Sequence, residues 1–153
     1  MAGTVTFYDV VLWIHISAVF TAFGALFAYP VFLAVNAKAP LAERANFHRL
    51  QIAFSKRVTG PTIAVVLAAG VYLASDAHLW SQAWVGIGFA LLLVIAGLGA
   101  TVLRRGEERL VASAEAADEA DYAATLARAN VWVAVTLALI VITIFFMTAK
   151  PFS

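Results

Sequence analysis

The chain has 153 residues, 63% of them hydrophobic and only 12% charged, with 10 basic against 9 acidic side chains and no cysteine. That composition excludes an ordinary soluble domain. Near-neutral charge excludes an electrostatic footprint for nucleic acid, and the lack of cysteine excludes a disulfide, a thiolate site or an iron–sulfur cluster.

The first element is Phe7–Asn36, FYDVVLWIHISAVFTAFGALFAYPVFLAVN. At ~1.5 Å rise per residue it exceeds a hydrocarbon core of ~30 Å. The residues before it, MAGTVT, carry no Lys or Arg, so no cleavable signal peptide is expected. Three more apolar segments follow: VTGPTIAVVLAAGVYLA, AWVGIGFALLLVIAGLGATVL and NVWVAVTLALIVITIFFMTA. With their approaches they predict helices over about 7–36, 41–74, 80–112 and 120–149, solidly apolar rather than alternating as barrel strands would be. The expected fold is all-α: a polytopic membrane protein whose four transmembrane helices form a single up-down-up-down bundle.

Orientation follows from the basic residues. Lys38, Arg44, Arg49, Lys56 and Arg57 lie between the first two segments, Arg104, Arg105, Arg109 and Arg128 between the last two, and only Lys150 at the other end. The positive-inside rule makes both long connections cytoplasmic and puts both termini outside. In the first connection, LAERANFHRLQIAFSKR places Phe47, Leu50 and Phe54 on one face of a cationic amphipathic helix. It is either an extension of the second span with snorkelling basic side chains or a surface that binds anionic lipid. Thr59-Gly60-Pro61 then either caps a new helix or kinks a continuous one. The second connection, rich in Ala, Glu and Arg, predicts a helical hairpin projecting into the cytoplasm. Its acidic residues Glu115, Asp118, Glu119 and Asp121 fit no calcium loop and read as a solvated face.

Small residues recur at helical spacing: Ser17, Thr21, Gly24 and Ala28; Gly60, Ala64 and Ala68; Gly86 and Ala90; Gly97 and Gly99; Ala134 and Ala138. Such patterns predict close helix contacts, with Gly97 and Gly99 as points where backbones meet. No carboxylate lies deep in any span, which argues against a proton-coupled exporter. Ser17, Thr21, Thr136 and Thr143 are too few to line a channel.

One ionisable side chain, His15, lies well inside the first span, in the outer half of the bilayer on the orientation above. Leu12, Ala18, Val19, Ala22 and Tyr29 share its stripe. Two readings stand. His15 either donates a hydrogen bond to a facing helix, or its imidazole ligates a haem iron or other metal.

The order of features resembles a group of small bacterial four-helix membrane proteins: the HemJ-type protoporphyrinogen oxidases, the CopD-like copper-resistance domains, and a family of integral membrane proteins of unknown function. The resemblance rests on VLWIHISAVF, KRVTGPTIAVVLAAGVYL and the terminal FFMTAKPF. AAGVYL and the Met147…Lys150-Pro151 ending are most similar to the uncharacterised family. HemJ-type enzymes hold haem b through a histidine of the first helix, a role the resemblance carries to His15 alone. The lysine beside that histidine in those enzymes has no counterpart in VVLWIHI, and no Met or His cluster matches a CopD-like copper site.

The resulting expectation is a multi-pass protein of the bacterial inner membrane that binds haem b and serves a redox or electron-transfer role, with His15 as axial ligand. His78 and Met147, on the same side of the membrane, are the candidate second ligands; His48 lies on the cytoplasmic side. No separate metal-ion site is expected, and the residues leave open whether the protein is an enzyme. The other reading is a non-catalytic accessory or assembly subunit of a larger membrane complex, with His15 structural. Expected partners are membrane lipids and either further copies of the chain or other subunits, and not nucleic acid.

Overall fold

The structure is a computed structural model and describes residues 4–151. Thr6 starts the first helix with a capping box: its side chain accepts the Asp9 N–H, and the Asp9 carboxylate accepts the Thr6 N–H at 2.8 Å. Helix α1 (Phe7–Asn36) runs unbroken through Pro30. Helix α2 (Leu41–Phe54) passes through a π-helical turn, Ser55–Thr59, into α3 (Gly60–Asp76). Pro61 sits in the first turn of α3, and the Gly60 N–H just before it reaches back to the Ser55 carbonyl. Gly60-Pro61 thus marks a widened turn inside one continuous rod, Leu41–Asp76.

The link after α3 carries His78 in the left-handed region, with φ 54°, and a single 3-10 turn at Leu79–Ser81. Helix α4 (Ala83–Leu98) then continues through a second π-helical turn, Gly99–Leu103, into α5 (Arg104–Glu115). Ala117, at φ 55°, reverses the chain, and the Asp118 side chain caps α6 (Glu119–Ala149) by accepting the Asp121 N–H at 2.9 Å. Phe152, the last residue of the FFMTAKPF match, lies outside the described residues.

All four rods are long and apolar enough to cross a membrane, and no strand occurs among the described residues. The protein is an all-α bundle of four membrane-spanning helices. Its outside is apolar where a soluble protein would be polar: Phe20 is 79% exposed and Val35 71%. Inside the spans the threonines satisfy themselves. Thr21, Thr136 and Thr143 each donate to the carbonyl four residues back.

The membrane-embedded half consists of two close pairs, α1 with α3 and α4 with α6. At mid-depth Ala18, Ala22, Phe23, Val66, Leu92, Ile95 and Ile140 form the core between them. Beyond the spans, at the end bearing the basic connections, α2 packs on α5 and α5 on α6. Ala45, Leu110, Ala114 and Tyr122 make a second core there. Helix α2 is thus an extension of the second span, and its buried face is Ala45 and His48 rather than Phe47, Leu50 and Phe54. Leu50 is 71% exposed, since α2 packs on α5 through its other face.

Several small-residue stripes have no neighbouring helix packed against them. A Cβ built on Gly24, Gly86, Gly97 or Gly99 meets nothing within 4 Å, so the expected backbone contact at Gly97 and Gly99 is not made. Ala64, Ala68, Ala90, Ala134 and Ala138 are likewise exposed. Spans that are apolar all round carry no moment to say which face turns inward. Close approach is made at Gly70 and Gly88 instead, against the side chains of His15 and Met147.

Candidate functional site

His15 lies on the buried stripe of α1, one turn from Ala18 and two from Ala22. Its ring rests against Gly70 of α3, where a Cβ would stand 3.4 Å from His15 Cε1. In a helix the carbonyl of one residue points at the residue four further on. The glycine at position 70 therefore leaves the Val66 carbonyl approachable from the side, and His15 Nδ1 lies 3.1 Å from that oxygen. A carbonyl only accepts, so Nδ1 carries the proton. Nε2 then has its lone pair free in the neutral ring and has no hydrogen-bond partner among the described residues. A second-site hydrogen bond to a main-chain carbonyl is the usual way a ligating histidine is held and its tautomer set.

The two candidate second ligands sit elsewhere. Met147 fills the notch over Gly88, so closely that a Cβ there would collide with its Cε, and packs with Ala74, Trp84 and Val85. His78 is exposed in the link between α3 and α4. Both stand at the end of the bundle that holds the termini, as His15 does. None of the described hydrogen bonds or ring contacts joins either of them to His15. Among the described residues no group of three or more His, Cys, Asp or Glu side chains is placed to hold a metal ion. A haem needs no such group, since the macrocycle supplies four nitrogens and the protein one or two axial side chains.

The opposite, basic end contains a polar network that the sequence did not announce. His48 is fully buried and its Nδ1 stands 2.7 Å from Glu107 Oε2, while its Nε2 lies 2.9 Å from the Tyr122 hydroxyl. The Tyr29 hydroxyl donates to the other Glu107 oxygen. Four side chains from α1, α2, α5 and α6 thus satisfy one another with both carboxylate oxygens occupied. Phe47 packs edge-on to the His48 ring at 5.3 Å between centroids. The only sequence signal was the pairing of His48 with Ala45 one turn earlier; Glu107 was hidden in the charged run RRGEER.

Beside this network a cavity of about 350 Å³ opens between the two helix pairs. Tyr29 and Glu107 stand in its wall, and both π-helical turns contribute to it through Ser55, Thr59, Gly99 and Leu103. Tyr29 follows His15 by fourteen residues, so the network and the histidine are separated by ~21 Å of helix rise. They are two distinct places in the bundle.

The acidic residues of the hairpin are each engaged. Glu115 pairs with Arg49, Glu119 with Arg44 at 3.7 Å, Asp118 caps α6 and Asp121 accepts from Ser113. Comparison with known proteins finds no matching family model, no matching curated protein and no matching solved structure.

Proposed function

We propose that this integral membrane protein binds haem b through His15 and serves in redox chemistry or electron transfer in the bacterial inner membrane, with both termini outside. The observation that carries the reading is the state of the His15 ring: Nδ1 is committed to the Val66 carbonyl, and Nε2 is left as a lone-pair donor within the bundle. Gly70 makes the slot in which the ring sits, and Val66 fixes its tautomer. Haem b held there would supply a one-electron couple at a fixed depth in the bilayer. The apolar spans around His15 would keep water from it, which is one of the levers that set a haem potential.

His78 and Met147 would be the protein's candidates for a second ligand at that end. Met147 would have to leave its notch over Gly88 to serve, whereas His78 is exposed in its link.

The test is the absorbance of the purified protein from cells supplied with haem. A Soret band with α and β bands on reduction is the expected result. A colourless, monodisperse, helical protein would instead favour an accessory subunit in which His15 is a structural hydrogen bonder.

A further inference from the structure

We propose that the cavity at the basic end is a binding site for one anionic phospholipid, with the headgroup phosphate at its mouth and the start of a chain on its apolar floor. Its volume, about 350 Å³, is at the small end of ligand-sized sites. Its wall includes Lys56, Arg105, Arg109 and Arg128. None of these four forms an ion pair among the described residues, although Arg44, Arg49 and Arg104 nearby all do. The one carboxylate in the wall, Glu107, is turned to Tyr29 and His48 and can offset at most one of these four positive charges. The mouth therefore carries unbalanced positive charge suited to a phosphate.

Deeper in, Phe23, Ile63, Ile95 and Val133 make the floor apolar, which a small hydrophilic anion would not fill. The level of the cavity points to the bilayer as the source. It lies where α3 and α5 begin, at the boundary between apolar spans and basic extensions, which is headgroup depth. Both rods widen there through a π-helical turn, a feature that recurs at binding sites.

The experiment is native mass spectrometry of the full chain in detergent, titrated with phosphatidylglycerol, phosphatidylcholine, dodecyl phosphate or inorganic phosphate. One phosphatidylglycerol retained per chain, in preference to phosphatidylcholine, is expected. Arg109→Gln with Arg128→Gln should weaken that retention roughly tenfold or more, whereas Lys38→Gln with Arg57→Gln, which removes the same charge outside the cavity, should change it by less than about twofold. Gly99→Leu provides a variant that leaves every charge in place. A Cβ at Gly99 meets no atom within 4 Å and the residue lines the cavity, so the added side chain should block lipid while the fold persists. Equal retention of the two phospholipids, or equal losses in the cavity and control variants, overturns the proposal. So does inorganic phosphate binding as tightly as phosphatidylglycerol, which would make the occupant a soluble anion, whereas dodecyl phosphate, which has both a phosphate and a chain, should bind.

Discussion

His48 Nδ1 and Glu107 Oε2 lie 2.7 Å apart although 59 residues separate them in the chain, and around this contact the basic end of the bundle is assembled. Tyr29 and Tyr122 complete it, so that one side chain from each of four helices meets at a point buried from solvent. A fully satisfied polar cluster of this kind specifies one arrangement of helices whose apolar surfaces could slide past one another.

Glu107→Ala should therefore destabilise the bundle by about 3 kcal/mol, because it leaves the buried His48 N–H and Tyr29 hydroxyl without an acceptor. Glu107→Gln should cost less, since the amide oxygen still accepts and the Tyr29 hydroxyl can turn to accept from the amide nitrogen. Thermal unfolding in detergent, followed by helical circular dichroism, measures both. Equal losses for the two variants would mean that the packed volume of Glu107 matters and its hydrogen bonds do not.

The glycines make opposite predictions. At Gly88 the terminal methyl of Met147 stands where a Cβ would be, and Gly88→Leu, which must push that side chain out of its packing with Trp84 and Val85, should cost about 1 kcal/mol. Gly97 faces open space, and Gly97→Leu should stay within about 0.5 kcal/mol of wild type. A large loss at Gly97 would show that this outward face is covered, in a membrane, by another copy or another subunit.

What was legible in the sequence and what was not separates by range. Span lengths and the helical hairpin follow from local pattern, as FYDVVLWIHISAVF and RRGEERLVASAE show on inspection, whereas the acidic residues of the hairpin read only as a solvated face and their pairs with Arg44 and Arg49 join distant parts of the chain. The inward faces do not, because a helix that is apolar all round gives no direction. The stripes at Gly60, Ala64 and Ala68 and at Gly86 and Ala90 therefore read as interfaces and turned out exposed. His15 was found because it is an isolated polar group in an apolar run. Glu107 was missed because it is one charge among five in a row of six residues, and only the arrival of Tyr29 and His48 from other helices distinguishes it.

Topology is testable without purification. Nine of the ten basic residues sit at the end formed by α2, α5 and the start of α6, which the positive-inside rule assigns to the cytoplasm. Reporter fusions after Ala114 and after Ser153 should report opposite compartments, with Ser153 outside. A cytoplasmic signal at Ser153 would reverse the orientation and move His15 to the inner half of the bilayer.

The most direct measurement of the central claim is the reduced-minus-oxidised spectrum of His15→Gln and Gly70→Leu beside wild type. Glutamine retains a donor for the Val66 carbonyl but is a poor haem ligand, so the fold should persist and the haem bands disappear. Gly70→Leu keeps the histidine and removes its slot, and should likewise lose or shift the bands. A structural His15 loses only about 1–2 kcal/mol on substitution by alanine and keeps any pigment. Loss of the haem spectrum in His15→Gln with helicity and monodispersity unchanged is the result this account predicts; a full haem spectrum in His15→Gln would contradict it.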